Sequence, residues 1–164
     1  MKKTAIYKKH WPKKNLGELV NFLEEIYPGG INLSMLSAEL GKSVGSWSNM
    51  FNRDDLKLSK AEQIAEHFGY TLRLMFPART FLNDYHPPVR IQPFETAGNL
   101  TGMYLWIRDS GMSISQVAAR MDIMGNVIKR ALSTGDIQIS TLNLFADTFD
   151  VNILWQFEKK ENKS

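Results

Sequence analysis

The side chains that most often do chemistry are sparse in this chain. Its three histidines, His10, His67 and His86, are isolated from one another, and the chain has no cysteine. The histidines and carboxylates are not spaced along the sequence as the ligands of a metal ion would be. No glycine-rich segment has the pattern of a phosphate-binding loop. The sequence therefore excludes disulfides and thiolate chemistry, and it predicts a protein that is not an enzyme and uses no metal or cofactor.

Lysines are concentrated at the N-terminus. Residues 1–14 form a basic arm without an acidic residue, although the net charge of the whole chain is only +3. The arm contains Lys2, Lys3, Lys8, Lys9, Lys13 and Lys14. Such a segment attracts polyanions even when it has no fixed structure, so it indicates a polyanionic partner. A solvated basic tail is the alternative interpretation.

Composition indicates a folded protein outside the membrane. Hydrophobic residues make up 43% of the chain, which is enough for a packed core. No apolar run approaches the roughly 18 residues that a membrane span needs. The lysine-rich start lacks the apolar stretch of a signal peptide, so we expect a cytoplasmic location.

The sequence contains an internal repeat. Residues 16–76 match residues 97–157 at a constant offset of 81 without a gap, and eleven of the 61 pairs are identical. The identical pairs are Gly17/Gly98, Leu19/Leu100, Ile26/Ile107, Gly30/Gly111, Ser34/Ser115, Ala38/Ala119, Asp55/Asp136, Ser59/Ser140, Ala65/Ala146, Phe68/Phe149 and Phe76/Phe157. We interpret residues 16–76 and 97–157 as two copies of one small fold, the first copy and the second copy.

Hydrophobic periodicity divides each copy into four helices and a strand. The first helix has apolar residues at i, i+3, i+4 and i+7, and glycine is expected to end it. These apolar residues and glycines are Leu19, Phe22, Leu23, Ile26 and Gly30 in the first copy, and Leu100, Met103, Tyr104, Ile107 and Gly111 in the second. The second helix is predicted to start after a capping residue, Asn32 or Ser113, and to close at Gly41 or Asp122.

The later elements follow from the same patterns. A third helix is predicted over about 43–51 and 124–132, and Ser59 with Glu62 predicts a capping box at the start of the fourth helix. Alternating apolar residues then predict a strand over 70–76 and over 151–157. The chain is thus expected to be mainly α, with helical domains at 15–77 and 97–158, a proline-containing connector at 78–96 and a tail at 159–164.

The two predicted strands need partners. An isolated strand leaves its backbone amides and carbonyls without hydrogen bonds. We therefore expect the strands to pair antiparallel within the chain and to bury Leu72, Leu74, Ile153 and Trp155 together. The alternative is a homodimer in which each strand pairs with its counterpart in a second chain.

The second and third helices of each copy have the features of a helix-turn-helix. Small residues, Ser37 and Ala118, stand where these helices would cross, and Gly41 and Asp122 tolerate a positive φ in the turn. The stretch from Leu36 to Phe76 resembles the lambda-repressor and Cro-like (XRE-type) helix-turn-helix superfamily, and the second copy resembles it as well. The family's frequent glutamine at the start of the second helix is replaced by Leu33 and Ile114.

This resemblance implies which residues contact DNA. Bases would be read from the start of the third helix and from a position one and a half turns later. Together with neighbouring phosphate contacts, the implied DNA-binding residues are Lys42, Ser43, Val44, Gly45, Ser46, Ser48, Asn49 and Arg53, and Met124, Gly125, Asn126, Lys129 and Arg130. Asn126 suits adenine and Arg130 suits guanine, so the second copy is better equipped for base reading than the first.

The function expected from this resemblance is sequence-specific, repressor-like regulation of transcription, with double-stranded DNA as the partner. A second copy of the chain is a partner only in the alternative homodimer. Because the two third helices differ in sequence, the site would be an imperfect palindrome. The alternative is an antitoxin or accessory protein whose helix-turn-helix units mainly bind a protein partner. The acidic balance outside the arm favours this alternative, whereas the lysine arm and the second copy favour DNA.

Overall fold

The computed structural model describes residues 14–76 and 98–161, together with the backbone of Ile6 and Tyr7. Its described part is mainly helical, with short antiparallel strand pairs. The predicted connector at 78–96 lies outside the described residues, as do all lysines of the basic arm except Lys14.

The first copy contains four helices and a strand in the predicted order. After a short strand β1 (Ile6–Tyr7), the elements are α1 (Gly17–Ile26), β2 (Ile31–Asn32), α2 (Leu33–Leu40), α3 (Val44–Arg53), α4 (Leu58–His67) and β3 (Tyr70–Met75). Strand β1 pairs antiparallel with β2, so two residues of the predicted arm are attached to the first copy. The sequence analysis did not predict this pairing, because a strand of two residues leaves no detectable period.

The second copy repeats this order. A single 3-10 turn at Gly98–Leu100 leads into α5 (Thr101–Ser110), followed by α6 (Ile114–Met121), α7 (Gly125–Thr134), α8 (Ile139–Phe149) and β4 (Leu154–Lys159). Helices α6 and α7 begin and end 81 residues after α2 and α3. The offset found in the sequence is therefore also the offset between these elements.

The predicted caps of α2 and α6 are confirmed. The Asn32 side chain accepts a hydrogen bond from the Met35 amide at 3.0 Å. Ser113 and Gln116 form a complete capping box at the start of α6. Gly41 and Asp122 end the two helices with φ of 81° and 58°, in the left-handed region that the turn was expected to require.

Two predicted helix boundaries are wrong. Helix α1 ends at Ile26 rather than at Gly30, because Tyr27 precedes Pro28 and a residue before proline disfavours the helical conformation. The predicted capping box of Ser59 and Glu62 is not formed, because α4 starts at Leu58 with Lys57 as its cap residue. Ser59 instead donates both its amide and its hydroxyl to Asp136 of the second copy.

The predicted antiparallel pairing of the two strands within one chain is confirmed. Strand β3 pairs with β4 in a register that places Tyr70 opposite Lys159 and Met75 opposite Leu154. Strand β4 begins three residues later than the predicted start at residue 151.

The contacts between the two copies are reciprocal. Leu74 pairs with Trp155 and Lys57 pairs with Gln138, and in both pairs the residues are 81 positions apart. A twofold exchange of the copies leaves each of these pairs unchanged. We therefore define a pseudo-twofold axis that passes between Leu74 and Trp155 and between Lys57 and Gln138.

Further hydrogen bonds obey the same exchange. The Leu58 amide donates to the Ile137 carbonyl at 2.8 Å, and the Ile139 amide donates to the Leu56 carbonyl at 2.9 Å. Ser59 donates to the Asp136 carboxylate, and the equivalent Ser140 donates to the Asp55 carboxylate. Each copy thus satisfies polar groups at the start of the other copy's fourth helix.

One hydrophobic core runs through both copies. The core includes Leu19, Leu23, Leu36, Trp47, Phe51, Ile64 and Leu72 from the first copy, and Met103, Ile107, Val117, Ile128, Leu132 and Phe145 from the second. The ring of Phe22 stacks on that of Phe157 with centroids 4.2 Å apart, so α1 packs against the strand of the other copy. Of the four residues predicted to be buried between the strands, Leu72 and Leu74 are buried, and Ile153 and Trp155 are half-buried.

Candidate functional site

Helices α3 and α7 carry most of the predicted site residues, and each is fixed to the core by one side. Trp47 of α3 and Ile128 of α7 are buried, as predicted from their equivalent apolar positions. Because these side chains hold the helices in place, the polar residues on the other side face solvent. Both helices are thereby held rigidly while one face stays available to a partner.

The exposed surface of α3 is polar and has little charge. The Ser43 hydroxyl accepts from the Ser46 amide at 3.1 Å and lies 2.9 Å from the Ser46 hydroxyl. Gly45 and Asn49 are exposed. Ser48 is half-buried, and its hydroxyl accepts a hydrogen bond from the side-chain Nδ2 of Asn52 at 3.4 Å. Local bonds therefore occupy Ser43 and Ser48, whereas Asn49 faces solvent.

Val44, at the start of α3, is partly covered by the rest of the first copy. Its side chain is half-buried and packs against the core. The first residue of α3 lies close to the preceding turn, where an apolar side chain gains more from packing than from exposure. The first copy therefore exposes only part of the Val44 side chain to a partner.

The exposed surface of α7 combines apolar and hydrogen-bonding side chains. Met124 is 71% exposed and Val127 is 40% exposed, so both can contact a partner. Asn126, Lys129 and Arg130 are also exposed. Gly125, at the start of the helix, has the Ser115 hydroxyl 3.8 Å from where a Cβ would stand.

Two clefts flank the pseudo-twofold axis, and both are lined by Lys57 and Gln138. The first cleft, of about 540 Å³, lies against the first copy and is lined by Lys42, Met50, Arg53, Asp55, Leu56, Lys57, Lys60 and Gln138. The second cleft, of about 340 Å³, lies against the second copy and is lined by Lys57, Val127, Arg130, Ala131, Thr134, Asp136, Ile137, Gln138 and Thr141. Helices α3 and α7 therefore lie on opposite sides of the Lys57 and Gln138 pair.

The predicted site residues are distributed between these clefts and the helix surfaces. Lys42 and Arg53, predicted phosphate contacts, line the first cleft, and Arg130, a predicted base reader, lines the second. Lys129 and Asn126 line neither cleft. Lys14, from the arm, is exposed, while Lys2, Lys3, Lys8, Lys9 and Lys13 lie outside the described residues.

Lys57 and Lys60 were not predicted to belong to the site. Both lie at the start of α4, which the resemblance did not mark as DNA-contacting. The signal that would have identified them is a comparison of the copies. Positions 57 and 60 are lysines in the first copy, whereas the equivalent positions 138 and 141 are glutamine and threonine in the second.

The described residues contain neither a metal-binding cluster nor a membrane-spanning helix. Within residues 14–76 and 98–161, no three histidine, aspartate or glutamate side chains are grouped so that they could hold a metal ion. None of the helices in this part of the chain is both long and apolar enough to cross a membrane.

Comparison with known proteins gives no relative. No protein-family model, curated protein or solved structure matches the chain. The resemblance to the lambda-repressor and Cro-like superfamily therefore depends on the residues of this chain alone.

Proposed function

We propose that the chain is a sequence-specific DNA-binding regulator of transcription built from two helix-turn-helix units, α2 with α3 and α6 with α7. The observation that carries this proposal is the reciprocal arrangement around the pseudo-twofold axis. A symmetric dimer relates its two recognition helices by a twofold axis, and the approximate axis within this chain supports the same role for α3 and α7. The site read would then be an imperfect palindrome, because α3 and α7 differ in sequence.

Helix α7 supplies most of the direct base reading in this proposal. Asn126 can bind adenine and Arg130 can bind guanine through two hydrogen bonds each, and both side chains are exposed. Met124 and Val127 offer apolar contact to thymine methyl groups. Of the base-reading positions that the resemblance implies in α3, only Asn49 offers comparable chemistry, since Val44 packs on the core and Gly45 has no side chain.

The test is selection of bound sequences from a random duplex library, followed by measurement of affinity for the selected site and its single-base variants. We expect Arg130→Ala to lose about 1 to 3 kcal/mol of discrimination at one base pair and to leave the other positions unchanged. Arg73→Ala removes an equivalent charge from strand β3 and serves as the matched control. Failure to enrich any sequence would reject the proposal, as would equal losses in both variants.

A protein partner is the second candidate, and the exposure of Met124 and Val127 favours it. Apolar side chains exposed on one helix are typical of protein interaction sites as well as of thymine contacts. The two functions differ in salt dependence, because DNA binding releases counterions and apolar docking does not. An antitoxin or accessory protein of this kind would fail the duplex selection and would bind its partner through α7.

A further inference from the structure

The two clefts beside the pseudo-twofold axis have unlike charges. Four cationic side chains, those of Lys42, Arg53, Lys57 and Lys60, line the first cleft. In the second copy the equivalent residues are Ile123, Thr134, Gln138 and Thr141, none of which is charged. The two clefts thus lie at equivalent places in the two copies, but the second copy lacks the four cations that the first copy contributes.

The cations of the first cleft are available to an anion. Among the described residues, none of the four forms an ion pair with a carboxylate. The acidic residue of the cleft, Asp55, is already engaged, because its carboxylate accepts bonds from the Ser140 amide at 3.0 Å and the Ser140 hydroxyl at 2.7 Å. The cleft therefore presents four positive charges against the single negative charge of Asp55, whose oxygens already accept hydrogen bonds.

The form of this site suits a polymer of phosphates better than a small enclosed anion. At the adjacent N-terminus of α4, the amide of Leu58 donates to the Ile137 carbonyl and that of Ser59 to the Asp136 carboxylate. These amides are therefore not free to coordinate an ion. The remaining attraction comes from side chains spread from the turn before α3 to the first turn of α4, as backbone neutralisation requires.

We propose that the first cleft binds phosphate groups of the DNA backbone where the duplex crosses the pseudo-twofold axis, so that the first copy anchors the DNA and the second copy reads it. This inference rests on the proposed function, and it adds a division of labour between the copies. Phosphate contacts fix the register of a protein on the duplex without specifying sequence. In this proposal the first copy needs few base-reading side chains on α3, because its role is to hold the DNA backbone with the cations beside that helix.

The chain itself supplies the test variants. Arg53→Thr, Lys57→Gln and Lys60→Thr each introduce the residue found at the equivalent position of the second copy. Because the second copy accommodates these residues at the same places, the triple variant is expected to fold. The control variant combines Arg73→Thr, Lys159→Gln and Lys160→Gln, which remove the same charge from the sheet region.

The measurement is the slope of log K against log salt for binding to a random-sequence DNA duplex, with folding checked by circular dichroism. Each lost phosphate contact lowers the magnitude of the slope by about 0.9, so the cleft variant should lose about 2 to 3 and the control much less. The mirror variant, Thr134→Arg with Gln138→Lys and Thr141→Lys, should steepen the slope.

The outcomes separate this inference from the proposed function. If the wild type binds the duplex and the folded cleft variant keeps its slope, or matches the control, the cleft is not a phosphate site while DNA binding stands. If the wild type binds neither the random duplex nor any selected sequence, the proposed function fails and the cleft proposal fails with it.

Discussion

At the residue scale, the Glu62 carboxylate has a different partner from the one that the sequence predicted. It does not form the capping box with Ser59 and bonds to Asn99 of the second copy instead. The carboxylate accepts a bond from the Asn99 side-chain amide at 2.9 Å, and Asn99 also bonds the Leu72 carbonyl and the Leu74 amide. Asn99 thereby ties the start of the second copy to α4 and β3 of the first. Glu62 is half-buried, and its burial raises its pKa. The hydrogen bond from Asn99 opposes this rise, and the charges of Asp136 and Glu66 add to it.

The raised pKa of Glu62 predicts a pH-dependent effect of Glu62→Gln. A carboxyl group with a raised pKa in the folded state favours folding most when it is protonated, and this contribution is lost as pH rises through the folded pKa. We therefore expect Glu62→Gln to gain stability relative to wild type between acidic and neutral pH. Glutamine keeps an acceptor for Asn99 and carries no charge.

The measurement is the free energy of unfolding in urea at pH 4 and pH 7 for both proteins. Glu25→Gln, which neutralises an exposed carboxylate of α1, is the control and should show a smaller change with pH. A difference between Glu62→Gln and wild type that stays constant with pH would contradict the assignment.

The residue scale is also where sequence analysis of the site was weakest. The fully buried Trp47 and Ile128 were predicted correctly because their positions follow helical periodicity. The partial burial of Val44 was not predicted, because a local pattern does not reveal how far a helix terminus is covered by neighbouring elements. Lys57 and Lys60 can be recognised as site residues only because they share a cleft with Gln138. Gln138 is distant from them in sequence, so a local sequence pattern does not reveal this cleft.

At the element scale, the starts of α4 and α8 depend on carboxylates from the opposite copy. Asp136 accepts from the Ser59 amide at 2.9 Å and its hydroxyl at 2.8 Å, and Asp55 does the same for Ser140. A carboxylate at a helix N-terminus satisfies amides that have no helical partner and interacts favourably with the helix dipole. The reciprocal caps therefore link helix formation in one copy to folding of the other.

These caps predict matched losses of stability. Asp136→Ala and Asp55→Ala should each lower the free energy of unfolding by about 1 to 2 kcal/mol, because each leaves helix amides uncapped. Asp147→Ala, which removes an exposed carboxylate from α8, should have a much smaller effect. In a double-mutant cycle, Asp136→Ala and Ser59→Ala should be less than additive, and additivity would show that the pair does not interact.

Helix content was more predictable than helix boundaries and strand register. Caps at Asn32 and Ser113 and the left-handed residues Gly41 and Asp122 depend on local chemistry, and the sequence predicted them. The missing capping box at Ser59 and the later start of β4 depend on contacts from the other copy. A sequence pattern indicates that a group needs a partner, but it does not identify that partner when the partner is 77 residues away.

At the scale of the whole molecule, the shared core indicates a single cooperative unit. The two copies are joined by strand pairing, by helix caps and by aromatic contacts such as the stacking of Phe22 on Phe157. Neither copy buries these groups by its own residues alone. The copies are thus expected to unfold together rather than as two independent domains.

The final prediction distinguishes this internal pairing from a homodimer with strands exchanged between chains. Unfolding in urea should be one transition whose midpoint does not change with protein concentration, and light scattering should give the mass of one chain. A strand-exchanged dimer would instead become more stable as concentration rises, because association contributes to its stability. The DNA complex should contain one chain for each imperfect palindrome, since α3 and α7 already lie on opposite sides of the axis in a single chain. Two chains on one such palindrome would mean that each chain contributes a single reading helix, and the pseudo-twofold axis would then have no role in DNA recognition.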